Sequence, residues 1–120
     1  VSNNMNQSEF NEVFDAVVER CRSVLNKKSY EYAGDNDRLH NFKIAASIQG
    51  ETAVKSLGGM YAKHAVSVFD MISRHEKGER FSREKWEEKI TDSVNYMILL
   101  SACLEEQRDI AEYLEDKPCG

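Results

Sequence analysis

The residues Ser82-Arg83-Glu84-Lys85-Trp86-Glu87-Glu88-Lys89-Ile90-Thr91-Asp92-Ser93-Val94-Asn95-Tyr96-Met97-Ile98-Leu99-Leu100-Ser101-Ala102-Cys103-Leu104 decide the fold. Trp86, Ile90, Val94, Met97 and Leu104 follow the period of one helical face. Ser82 is of the N-cap type. One helix is predicted from Arg83 to about Glu115, roughly 45–50 Å long at 1.5 Å per residue. Between Tyr96 and Leu100 it is apolar on every side, and a helix that is apolar all round is expected to be buried all round. A bundle of this size hardly surrounds such a stretch alone, so a second copy is the expected cover and the chain reads as a homo-oligomer.

The same period extends upstream. A third helix is expected from about Glu51 to Lys77, with Val54, Leu57, Tyr61, Ala65, Val68 and Ile72 as its core stripe. Gly58-Gly59 interrupts it, which implies either a break or the close approach of a backbone or ligand. Gly78 ends it. A short second helix is read from roughly Arg38 to Gln49, capped by Asp35 or Asp37 and ended by Gly50, with Leu39, Phe42, Ala45 and Ala46 as its apolar edge. The first helix spans about Ser8 to Lys28, with Ser8 as cap. Its apolar face is Phe10, Val13, Phe14, Val17, Val18, Cys21, Val24 and Leu25. No run alternates as a half-buried strand does. The expected fold is all-α: one domain over 1–120, a four- to five-helix bundle completed by homo-oligomerisation, with 1–7 and 116–120 as flexible tails.

The 120 residues are 41% hydrophobic and 31% charged. That is too apolar for disorder and too charged for a membrane protein. The net charge of -5 argues against non-specific nucleic-acid binding, which needs a basic field. The polar stretch Val1 to Gln7 lacks the apolar region of a signal peptide. Cys21, Cys103 and Cys119 suit neither a disulfide framework nor a zinc site. Reduced core cysteines and a cytoplasmic location are therefore expected.

Three places carry polar groups able to do chemistry. On the fourth helix, Glu88, Asp92 and Asn95 share a stripe opposite Trp86, Ile90 and Val94. Two carboxylates at i and i+4 repel unless a cation lies between them, a geometry that suits Mg²⁺ with phosphate oxygens. The alternative is a solvated face paired with Lys85 and Lys89. On the third helix, Ser56, Gly59, Lys63, Ser67, Asp70 and Arg74 form a second stripe, with His64 at the edge of the core. Lys63 and Arg74 are of the type that meets phosphate; the alternative is again a solvated face. The segment Tyr32 to Phe42 packs aromatics, acids, Arg38 and Asn41 around a turn and a helix start. A helix start favours anions, and Tyr32 is suited to stacking on a base. The alternative is a capped turn with Arg38 paired to an acid. Nothing resembles a P-loop or a nucleophilic triad.

Three blocks, Lys28-Ser29-Tyr30-Glu31-Tyr32-Ala33-Gly34 with Arg38-Leu39-His40-Asn41-Phe42, Lys63-His64, and Glu88 through Tyr96, resemble small phage and prophage helical proteins. These are the nucleotide-modification-associated domains, which look distantly like the MazG-type all-α nucleoside triphosphate pyrophosphatases. The resemblance spans roughly residues 20–105. It implies nucleotide handling, with Tyr32, Arg38, Asn41, Lys63, His64, Asp92, Asn95 and Tyr96 as ligand residues and Glu88, Asp92 and Asp70 holding Mg²⁺. Asp92 matches the last acid of the family's E-x-x-D, but Lys89 stands where its glutamate would be, and the family's first acidic pair has no match. Two functions follow as expectations. One is a Mg²⁺-dependent nucleotide pyrophosphohydrolase. The other is a non-catalytic binder, or sponge, of a nucleotide or cyclic-nucleotide signal that counters host defence.

Overall fold

Among the described residues four α-helices follow one another: α1 (Gln7–Lys28), α2 (His40–Gln49), α3 (Ala53–Glu76) and α4 (Arg83–Tyr113). The computed structural model describes residues 4–28 and 37–113, and within them the side chains of residues 4–27 and 37–108. Among the described residues there is no strand, so the all-α expectation is met. No described helix is long and apolar enough to cross a membrane.

Local chemistry sets the helix ends. Thr52 caps α3, its Oγ1 accepting the Lys55 N–H at 3.1 Å. Ser82 caps α4 as expected, accepting the Lys85 N–H at 3.0 Å. Gly50 and Gly78 take the positive φ values of 67° and 95° that close α2 and α3. The cap of α1 is Asn6 rather than Ser8. Its Oδ1 accepts the Glu9 N–H at 2.8 Å while Glu9 reaches back to the Asn6 N–H at 3.4 Å, a reciprocal capping box. Asn6 and Gln7 thus belong to the cap and first turn, not to a tail. Asp37 precedes α2 by a turn, accepting the Leu39 N–H at 3.0 Å. Asp35, Cys119 and residues 116–120 lie outside the described residues.

The helix pairs that pack are α3 on α4, α2 on α3, and α1 on α4. The core lies where α2, α3 and α4 meet, around Leu39, Phe42, Leu57 and Cys103, with Val54, Met60, Tyr96, Leu99 and Leu100 against it. Lys43 ties α2 to α4 by reaching Glu106 at 2.9 Å as well as Asp37. Cys21 and Cys103 are buried free thiols, and burial pushes both up from the ordinary thiol range.

Three packing expectations need correction. Gly58-Gly59 does not break α3: the helix is continuous, and no other part of the described chain comes within 4 Å of a Cβ placed at either position. Fully buried Leu57 beside the pair anchors the helix and overrides the glycines' low propensity. On α1 the apolar face is only half used. Cys21 is buried, but Phe10, Val13, Phe14 and Val18 are exposed.

The largest correction concerns α4. Among its described side chains Thr91, Asn95 and Cys103 are buried, while Ile90, Met97 and Leu104 of the expected core stripe are 40–50% exposed. The helix is therefore rotated so that Asp92 and Asn95 look into its own chain, while Glu88 is exposed and Trp86 and Val94 of the expected core stripe are half-buried. The Tyr96–Leu100 stretch is not enclosed by the chain: Tyr96, Leu99 and Leu100 are half-buried, whereas Met97 and Ile98 face out.

Candidate functional site

This rotation of α4 builds a cavity. It measures about 310 Å³ and lies where the last turns of α1, the start of α2, α3 and the middle of α4 converge. Leu25, Phe42, Met60, Tyr96 and Leu99 give it apolar walls, and Arg38, Asn41, Asp92 and Asn95 give it polar ones. A mostly apolar pocket with a few convergent polar groups is the usual make-up of a small-molecule site.

Asn95 is 5% exposed, and neither its Oδ1 nor its Nδ2 has a hydrogen-bond partner. A buried polar group without a partner costs about 1–3 kcal/mol. One turn earlier on the same face stands Asp92. Its Oδ2 lies 3.8 Å from His64 Nδ1, outside hydrogen-bond reach, and His64 Nδ1 is itself buried without a partner. The His64 ring lies 4.8 Å, centroid to centroid, from that of Tyr96, and Tyr61 flanks Tyr96 at 6.5 Å. Burial, and then the Asp92 charge, hold the Tyr96 hydroxyl above the ordinary tyrosine range, so it remains a neutral donor at physiological pH.

Arg38 reaches the cavity from the turn before α2. Its Nη2 donates to the Leu25 carbonyl at 3.5 Å. That carbonyl is one of the last four of α1, which have no partner within the helix. The bond fixes the guanidinium between α1 and α2. Among the described residues no carboxylate lies within 4 Å of Arg38, unlike Arg20, Arg74 and Arg83, which all have acidic partners. Asn41 sits beside it in the first turn of α2, where the Leu39, His40, Phe42 and Lys43 N–H groups already bond to Asp37 or to the Leu39 carbonyl.

Of the eight ligand residues expected from the sequence, Arg38, Asn41, Asp92, Asn95 and Tyr96 line one cavity, and His64 touches it through Asp92 and Tyr96. Lys63 is exposed and does not line it. Tyr32 lies outside the described residues. Leu25, Phe42, Met60 and Leu99 went unassigned as site residues. Their sequence signal is that of ordinary core positions, so only the fold reveals them as walls.

No protein-family model, curated protein or solved structure matches this chain. The geometry of the cavity carries the functional reading.

The Mg²⁺ expectation can be set against the donor set. Glu88 and Asp92 both border a second groove, which also holds Arg20, Glu84 and Glu87. Asp70 is elsewhere, 60% exposed and bonded to Arg74 at 3.3 Å. Arg74 in turn is held by Glu79 at 2.6 Å and lies over the Phe81 ring, so it is not free for phosphate. Among the described residues no three His, Cys, Asp or Glu side chains gather closely enough to hold a metal ion. The expected trio Glu88, Asp92 and Asp70 does not fit a magnesium site within one chain.

Proposed function

We propose that this chain binds a nucleotide in the α1–α2–α4 cavity, as a non-catalytic binder of the kind a phage or prophage uses to withdraw a nucleotide from the host cytoplasm. The carrying observation is Asn95, a buried carboxamide with both polar atoms unpaired on the cavity wall. Selection tolerates such a cost where a ligand supplies the missing partners. Arg38 offers a cationic donor for phosphate, and Tyr96 and Phe42 offer aromatic surface for a base. The resemblance to nucleotide-handling phage proteins supports the same ligand class. At about 310 Å³ the cavity is at the small end of ligand sites, which suits one base and its sugar better than a whole cyclic dinucleotide.

The experiment is a thermal-shift series with mono-, di- and triphosphates and cyclic nucleotides, with Mg²⁺ and with EDTA, assayed in parallel for products. A ligand that binds the native state raises the melting temperature by mass action. The binder reading expects a shift that survives EDTA and leaves the nucleotide intact. Product formation that stops with EDTA would replace it with the pyrophosphohydrolase reading.

The same proposal includes a second copy of the chain as the partner of α4. Ile90, Met97 and Leu104 are seven residues apart and all exposed. That is the spacing of a helix–helix seam, and two identical stripes are self-complementary about a two-fold axis.

A further inference from the structure

We infer that the cavity selects a guanine base, read by Asp92 and Asn95 together; this rests on the nucleotide reading above. A carboxylate only accepts hydrogen bonds, so whatever faces Asp92 in the cavity must donate. The ring nitrogen nearest to it is His64 Nδ1, at 3.8 Å and out of bonding reach, so no side chain among the described residues spends its acceptor capacity as a salt bridge at bonding distance. Asn95 is three residues on, which places the two side chains on one face of α4 about 5–6 Å apart at Cβ. That separation suits contact with neighbouring edges of a single base.

The four common bases differ in what they offer a carboxylate. Guanine alone has two adjacent donors on one edge, N1–H and the 2-amino group, and these match the two oxygens as an arginine fork does. Its O6 and N7 then face the Asn95 amide, which has donors to give and no partner in the chain. Adenine presents the N1 lone pair at the same place, an acceptor against an acceptor. Cytosine and uracil present one donor position each beside an acceptor. Arg38, donor only, lines the same cavity and is the group that would meet the phosphate.

The test is isothermal titration of the full chain with GMP, IMP, AMP and XMP. Inosine differs from guanosine only in lacking the 2-amino donor, so this comparison needs no variant. We expect GMP to bind about 10- to 100-fold more tightly than AMP, the discrimination typical of a good bidentate base contact, and clearly more tightly than IMP. Asp92→Asn is expected to lose GMP affinity and gain XMP affinity, because xanthine carries a carbonyl where guanine has the amino group. AMP or IMP binding equal to GMP overturns the guanine assignment and leaves the nucleotide reading standing. Absence of any nucleotide binding overturns both. If Asp92→Asn does not fold, the GMP–IMP comparison on the wild-type chain still decides.

Discussion

Asn95 combines a cost to the fold with a use at the site, and the two can be separated by substitution. Asn95→Leu keeps the size of the side chain and removes the unpaired amide. Replacing an unsatisfied buried polar group by an apolar one of similar shape is neutral or stabilising, here by up to about 1–3 kcal/mol. The expected outcome is an unchanged or raised melting temperature together with loss of any nucleotide-induced shift. A residue held purely for structure would behave the opposite way, with a lowered melting temperature. Asp92 and Asn95 were legible in the sequence as members of one helical stripe. What the sequence could not show is that Asn95 is buried and unpaired, because that depends on which helix covers it. Arg38 was similarly visible as a charge near a turn, but its lack of an acidic partner among the described residues is a property of the packed helices.

At the scale of the element, the Gly58-Gly59 pair of α3 stands in regular helix with open space at both Cβ positions. Alanine costs nothing sterically there and removes backbone freedom from the unfolded chain. Gly58→Ala and Gly59→Ala are each expected to raise stability by about 0.5–1 kcal/mol in urea titration, with no effect on ligand binding. Loss of stability in either would mean that the positions are occupied in the working molecule, most directly by a partner. Three helix ends, at Ser82, Gly50 and Gly78, were the best-read feature of the sequence, since these residues act through bonds within a few residues. Helix rotation was the worst. α4 carries apolar residues on more than one side, and periodicity alone does not say which side meets the same chain. The choice of Ile90, Met97 and Leu104 as its core failed because α1 and α3 pack elsewhere on the helix and leave those residues exposed.

For the whole molecule, these exposed faces bear on assembly. Met97 is the middle of the Ile90–Leu104 stripe and lines none of the cavity, so it separates assembly from binding better than Leu99, which is a cavity wall. Met97→Glu puts two like charges at a two-fold seam. It is expected to shift the species in light scattering from a multiple of 13.8 kDa toward the single chain, with the monomer still helical by circular dichroism. A wild-type chain that scatters only as 13.8 kDa at micromolar concentration sinks the homo-oligomer proposal. The all-helical class was legible from composition and period alone; the assembly rests on a stripe whose exposure only the packed structure reveals.

One helix is also held differently from the rest. Among the described residues α1 packs on α4 and on no other helix, and its residues 7–16 are exposed along their length. Regions with few buried contacts open at low free energy, independently of global unfolding. Deuterium uptake by α1 should therefore run ahead of that by α3 and α4. Leu25 is a cavity wall, and its carbonyl holds Arg38, so opening of α1 dismantles one side of the site while the α2–α3–α4 core persists. A ligand seated there would slow exchange in the last turns of α1 without touching it at the N-terminal end. The release rate of that ligand would then be set by how often one helix lets go of its neighbour.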